Sequence, residues 1–406
     1  MKEMLTGNAS AAWGVRLAEV DYIPMYPITP QTEIIETLAR WISDGVMDAR
    51  FVSLDSEHSM ITAAGAASAT GVRTFTATSS QGLLYGFEML YTVAGWRVPI
   101  VMVNVSRGLS APITLEPDHN DILAARDSGF LQIHCETCQE VLDSILMAYR
   151  LAEDERVLLP IIVNMDGFHL SFTREPVEIA DLKDVRRFLP PYRPKHAFFK
   201  ASQPMAQGVA VIGGSIYSYF KYQMHLASMK ALDVYKEVSA EFKETFGRSY
   251  NTIEGYMTDD AEHILVMSNS FATLGKAAIE KARKKGMKAG LLRLRLLRPF
   301  PESDINEALK GKKVAAVLDQ NISVGKGGIL YSEISSALYN GKERPLLLSF
   351  IGGLGGKNIS SQEFEFIFDT MMKAVETGKV EAPRLLYTEG EWKEMERLKY
   401  LAGKGP

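Results

Sequence analysis

Cysteine is nearly absent: two residues, Cys135 and Cys138, in a chain of 406. That excludes a disulfide-stapled scaffold and points to a reducing compartment. Histidine is sparse, with seven residues scattered along the chain and no HExxH pair, so no metal centre is indicated. No GxSxG elbow occurs, which removes the common serine-hydrolase turn. Charge of either sign is not in excess; the net value of −4 gives no electrostatic reason to expect nucleic acid or an anionic membrane. No long apolar run exists either. "TFTATSSQGLLYGFEML" holds Glu88 and a polar cluster, so no membrane span is expected. "MKEMLTGNAS" turns polar too early for a secretory leader. The expectation is a cytoplasmic globular protein.

The two cysteines form a CxxC, "HCETC". Such a pair can bind metal or cycle as a dithiol. One pair supplies only half the ligands of a zinc or iron–sulfur site. Thr137 followed by Glu140 also reads as a capping box at a helix start, which explains the local polarity without redox chemistry. "IGGLGGKN" misses the phosphate-loop pattern twice: Ile351 stands where the first glycine belongs, and Asn358 follows Lys357 in place of Ser or Thr. "VGKGG" (Gly325, Gly327, Gly328) lacks the dinucleotide spacing. Both read as glycine-rich turns.

What is present is regular alternation. Hydrophobic residues make up 46%, ordinary for a globular chain. Through residue 171, strand-like runs ("DYIPMYP", "RFVSL", "RTFTATS", "PIVMVNVS", "FLQIHC", "LLPIIVNMD") alternate with helix-like ones. That predicts an α/β fold with a parallel sheet over 1–171. The proline-rich "FLPPYRPKHAFF" and a long amphipathic helical stretch suggest a connector over 172–260. Alternation returns over 261–372 as a second, smaller α/β domain, and 373–406 reads as a charged surface tail. "ITAAGAASATG" is built of small residues, which suits close packing on its own sheet or contact with a cofactor or partner.

In parallel sheets, ligands lie beyond the carboxyl ends of the strands. Four such ends carry chemistry: Thr29 between Pro27 and Pro30, Glu57, the loop Ser79–Gly82, and Arg107. Each has a plain alternative. Thr29 could cap a helix, Glu57 could favour a helix dipole, and Arg107 could be a surface charge. Together they suit an anionic carbonyl compound, because a guanidinium fork matches a carboxylate. The two prolines would stiffen the turn that presents the Thr29 hydroxyl.

"YPITPQTEI", "SEHSMITAAGAASATGVRTFTATSSQGL", "VPIVMVNVSRGLSAPITLEPDHNDILAARDSGF" and "LLPIIVNMDGF" closely resemble the alpha subunit of the pyruvate:ferredoxin oxidoreductase family, the thiamine-diphosphate-dependent 2-oxoacid oxidoreductases. "GLLRLRLLRPFP" and "FIGGLGG" are similar to the family's transketolase-C-like domain. The resemblance implies that 1–171 is a pyrimidine-binding domain. Glu57 matches the glutamate that hydrogen-bonds the aminopyrimidine, with Pro27, Ser80 and Gly82 beside the cofactor. Thr29 matches the threonine that touches substrate and Arg107 the arginine that binds its carboxylate.

The family's GDG diphosphate motif does not occur, and two cysteines cannot hold clusters. The resemblance therefore implies partner subunits: a thiamine-diphosphate-binding beta subunit with Mg2+, iron–sulfur and gamma-type subunits, coenzyme A as co-substrate, and ferredoxin or another acceptor. Gly108 stands where the pyruvate type usually has alanine, and Leu115–Glu116–Pro117 before Asp118 and His119 also departs from the pattern. Pyruvate is expected, with a bulkier aromatic 2-oxoacid such as phenylglyoxylate as the alternative, because a missing methyl at 108 could widen the pocket. His119 is a candidate at the substrate. A non-catalytic scaffold subunit is the reading of another class.

Overall fold

The structure, a computed structural model, describes residues 1–195, 199–380 and 384–401, the last two by backbone only. Residues 196–198 of the expected connector, and 381–383 and 402–406 of the expected tail, lie outside the described residues. Two compact units result. The first comprises Met1–Glu254, Ser268–Ser270 and Leu294–Pro301; the second comprises Gly255–Met267, Phe271–Arg293 and Glu302–Pro406.

The first unit begins with Lys2–Thr6 (β1), Gly7–Leu17 (α1), Tyr22–Met25 (β2), Thr32–Ser43 (α2) and Arg50–Ser53 (β3). Glu57–Ser68 (α3), Phe75–Thr78 (β4), Gln81–Tyr85 (α4), Phe87–Trp96 (α5) and Val101–Ser106 (β5) follow. Then come Asn120–Ala124 (α6), Leu131–His134 (β6), Cys138–Ala152 (α7) and Ile161–Asp166 (β7). Arg174–Glu178 (β8), Leu182–Phe188 (α8) and Gly214–Phe246 (α9) complete the series.

Strands β6, β7, β5 and β4 lie side by side, with β5 parallel to both neighbours. All six residues of β5 and of β7 are buried, the signature of strands covered on both faces. β2 and β3 pair in parallel beyond β4. The join to β4 is a single Tyr22–Thr74 bridge plus a Thr76 hydroxyl donating to the Pro24 carbonyl at 2.9 Å. Pro24 has no amide to extend a ladder, so a side chain takes over there.

Helices cover both faces. A Cβ on Gly14 of α1 would lie 3.0 Å from both the Ile145 Cβ and the Leu142 carbonyl of α7, so glycine permits that close approach. The small-residue helix α3 uses Gly65 in the same way. Val93 and Trp96 of α5 fill the space a side chain would take. Gly86 stands between α4 and α5, where a Cβ would strike the Ile61 side chain.

The stretch 172–260, expected as a connector, supplies β8, which pairs antiparallel with β1, and α9, whose Ala227, Ala231, Val234, Tyr235, Val238 and Phe242 join the first unit's core. α9 runs 33 residues, about 50 Å. Its buried residues all lie from Ala227 onward. Its earlier turns expose Ile216, Tyr217, Tyr219, Phe220 and Tyr222, so only the later part is amphipathic.

The second unit holds Ile253–Tyr256 (β9), His263–Ser268 (β10), Ala272–Lys284 (α10) and Ala289–Leu294 (β11). The run "GLLRLRLLR" breaks at Arg295, and Leu296–Arg298 (β12) pairs antiparallel with β6 of the first sheet. Glu302–Leu309 (α11), Val314–Asp319 (β13), Ile329–Leu338 (α12), Leu346–Ile351 (β14), Ser361–Thr377 (α13), Arg384–Leu385 (β15) and Glu389–Leu401 (α14) follow. The sheet order is β15-β14-β13-β10-β11-β9. The start of α12, after "VGKGG", already holds an anion of its own: the Asp319 carboxylate accepts from the Leu330 and Tyr331 amides. Lys357 of "IGGLGGKN" is engaged by Glu363 at 2.6 Å.

Candidate active site

Four strand ends meet in the first unit. After β2, the chain turns through Pro27, Ile28, Thr29 and a cis Thr29–Pro30 bond. Thr29 does not cap α2. The N-cap is Gln31, whose side chain instead donates to the Tyr26 carbonyl at 3.0 Å. The buried Asn8 of α1 donates to the Pro30 carbonyl at 2.9 Å. The turn is thus tied from both sides, and Pro27 and Thr29 stay exposed. A Cβ on Gly167 would lie 3.1 Å from the Pro30 ring, and the Gly167 amide donates to the Ser106 carbonyl at 2.8 Å. Thr29 and Arg107 are each the next residue along from this contact.

Glu57 opens α3, with Ser56 as its N-cap. Its side chain is 4% exposed. Among the described residues no other side chain donates to it. Burial pushes its pKa above the ordinary carboxylate value, opposed only by the residue's own backbone amide. Gly82 packs against it. A Cβ at Gly82 would run into the Glu57 carboxyl oxygen and lie 2.5 Å from Thr78 Oγ1.

Arg107 follows β5 and is 5% exposed. One terminal nitrogen donates to Gln81 Oε1 at 3.1 Å, and Nε has no acceptor. Among the described residues no carboxylate lies within ion-pair distance. Burial lowers its pKa, opposed by the more distant Asp121. A buried guanidinium with a neutral partner and a vacant donor suits an incoming carboxylate.

Ser80 has φ 47 and ψ −114, a sparsely populated positive-φ conformation that costs a non-glycine residue about 1–3 kcal/mol. Its hydroxyl lies 2.8 Å from both the Gly108 carbonyl and Gln81 Oε1. Gly108 does not open extra room: the Thr114 methyl occupies the space that a Cβ there would take. The expected widening is therefore absent at this position, because a residue six places along fills it.

His119 is not brought to this opening. It is 1% exposed, and its Nε2 lies 2.7 Å from Asp166 Oδ1. Burial favours neutral imidazole, but the Asp166 carboxylate outweighs it and holds the His119 pKa above the usual value. Asp166 also accepts from the Ser270 amide at 3.0 Å. The ring ties strand ends together inside the fold.

The cysteines are buried and chemically quiet. Burial, reinforced by Glu175, drives the Cys138 thiol far upward. Half of the expected capping box forms. Thr137 Oγ1 accepts from the Glu140 amide at 3.2 Å, but the Glu140 carboxylate accepts from Glu136 N–H and from Arg295.

The sequence reading passed over Asp121, Asn104, Asn164 and Asp166, all fully buried. Asn104 donates to Asn164 Oδ1 at 2.9 Å and to Asp121 Oδ2 at 3.1 Å. Burial raises the Asp121 pKa against several donors. The available signal is polar residues closing otherwise apolar strands, "VMVNVS" and "IIVNMD".

Known proteins resemble this chain in sequence and in fold. Residues 13–241 match the family described as pyruvate flavodoxin/ferredoxin oxidoreductase, thiamine diP-bdg, and residues 261–364 match pyruvate:ferredoxin oxidoreductase core domain II. Pyruvate synthase subunit PorA of Pyrococcus abyssi is 43% identical over 383 residues, covering 94% of this chain and 97% of that one. Ketoisovalerate oxidoreductase subunit VorA of the same organism is 40% identical over 398 residues, covering 98% of each chain.

Among solved structures, 2-oxoglutarate:ferredoxin oxidoreductase from Magnetococcus marinus shares the fold with TM-score 0.68 at 19% identity. The match covers 92% of this chain and 65% of that one. A split-gene transketolase aligns with TM-score 0.51 at 11% identity, over 91% of this chain and 98% of the other. The fold is accordingly α/β, a thiamine-binding domain followed by a transketolase-like one. The chain belongs to the pyruvate:ferredoxin oxidoreductase family, as the alpha subunit of a thiamine-diphosphate-dependent 2-oxoacid oxidoreductase.

Proposed function

We propose that this subunit takes part in the oxidative decarboxylation of pyruvate to an acyl-CoA and CO2, with electrons passing to ferredoxin or a comparable acceptor. The observation that carries the reading is Arg107, a cation 5% exposed whose one side-chain partner is the neutral Gln81. It binds the substrate carboxylate, and Thr29 contacts the substrate from the facing turn.

The residues present fit thiamine diphosphate. Glu57 is a buried carboxylate awaiting a donor, and Gly82 leaves the space beside it clear of a side chain. Glu57 would hold a protonated ring nitrogen, with Pro27, Ser80 and Gly82 shaping the adjoining wall. When bound, the cofactor supplies the nucleophilic carbon and the electron sink for decarboxylation. Burial, which raises the Glu57 pKa, also makes its carboxylate a stronger hydrogen-bond acceptor for that N–H. Arg107 fixes the carboxylate that is lost, and the closed strand ends keep water from both groups.

Partner subunits supply the diphosphate and Mg2+ contacts and the iron–sulfur clusters. This chain's two cysteines are buried among its own backbone carbonyls and do not ligate clusters.

A small substituent is favoured because Thr114 fills the space beside Gly108. The similarity to a ketoisovalerate oxidoreductase subunit keeps a branched 2-oxoacid as the second reading. Turnover of pyruvate, 2-ketoisovalerate and phenylglyoxylate by the assembled complex tests the choice. A higher kcat/KM for either larger acid would overturn pyruvate. Glu57→Gln should nearly abolish turnover in a complex that still assembles.

A further inference from the structure

Asp121 stands behind the site, 0% exposed, at the start of α6. Its Oδ2 accepts from the Ser80 amide at 3.0 Å, from Asn104 Nδ2 at 3.1 Å and from the Arg107 amide at 3.4 Å. Its Oδ1 accepts from the Ser106 hydroxyl at 2.8 Å and the Ile122 amide at 2.6 Å. One carboxylate therefore joins the loop after β4 to the loop after β5. Ser80 is the residue at positive φ, and this bond holds its amide. Arg107 is the residue whose guanidinium is offered to the substrate.

We infer that Asp121 is a positioning residue for 2-oxoacid recognition: it locks the Ser80 and Arg107 backbones in one register, so that the Arg107 guanidinium, held by Gln81 Oε1, presents a fixed fork to the carboxylate. This rests on the proposed role of Arg107. The geometry also shows why an amide cannot replace the acid. If the new NH2 took the Oδ2 place, it would face the Ser80 amide. At the Oδ1 place it would face the Ile122 amide. Either way a donor meets a backbone donor, and a loop must move.

The experiment uses the assembled complex carrying Asp121→Asn, with Arg107→Ala and Asp143→Asn beside it. Asp143 is an equally buried carboxylate bonded to Arg248 and Tyr250 elsewhere in the same unit. It controls for the loss of a buried acid. The readouts are the KM and kcat for pyruvate, the Kd of oxamate as an unreactive carboxylate probe, and the thermal midpoint. Asp121→Asn should weaken oxamate by about tenfold or more, the scale of one misdirected charge-assisted hydrogen bond, and raise KM more than it lowers kcat. Asp143→Asn should lower the midpoint and leave oxamate binding unchanged. Wild-type oxamate affinity in Asp121→Asn, or an equal loss in Asp143→Asn, overturns the inference while leaving Arg107 in place. Wild-type oxamate affinity in Arg107→Ala overturns the proposed site itself, and this inference with it.

Discussion

The Glu57 carboxylate occupies the space that a side chain at Gly82 would need. A glycine in the first turn of α4 is thus what lets an acid on α3 sit where it does. Gly82→Ala should push the carboxylate aside, because a Cβ would lie under 3 Å from its atoms. The expected result is a fall of about a hundredfold in kcat, by the cost of a displacement of order 1 Å, with the complex intact. Steady-state kinetics with size-exclusion chromatography check this.

Gly108→Ala should be destabilising, since the Thr114 methyl lies in the way. Overpacking of this kind costs about 1–3 kcal/mol. Adding Thr114→Ser removes the opposing methyl and should recover most of the loss. Denaturant melts of the two variants decide the matter. Equal stability of Gly108→Ala and wild type would refute the packing account.

The His119–Asp166 pair makes stability depend on pH. The folded-state pKa of His119 is raised, so its contribution is fully present below about 6.5 and fades as pH rises through the folded value. That of Asp166 is lowered, because His119 and the Ser270 bonds outweigh burial. Its contribution is present above about 3.9 and is lost as pH falls. Thermal midpoints should therefore decline on the alkaline side of 6.5, and His119→Gln should flatten that decline. An unchanged slope in the variant would argue against the pair as its source.

Neither thiol should react in the native protein. Cys135 and Cys138 are 0% exposed, and burial holds the Cys138 thiol protonated. A colourimetric thiol reagent should titrate no cysteine until denaturant is added, and then two per chain. Rapid native labelling would reopen a redox role for the pair.

The alternation of strands and helices is legible in the sequence because buried parallel strands are short apolar runs between turn residues. Thr29, Glu57 and Arg107 are legible because each interrupts or ends such a run. The β1–β8 pair is not, since its partners Lys2 and Glu178 are far apart along the chain and local periodicity carries no pairing information. The exposed start of α9 is not either, because apolar spacing says nothing about which neighbour covers it. The room beside Gly108 depends on where Thr114 folds back, a question of loop shape and not of residue type. Asp121 was hidden for a related reason: its role is to bond other loops' amides, and only the fold brings those together.

The Arg107 guanidinium lies in a poorly polarisable interior with no carboxylate in ion-pair contact among the described residues, and Asp121 answers its charge only from further away. A carboxylate bound there as proposed should therefore make the subunit harder to melt. One and the same ion contact would then report on recognition and on durability.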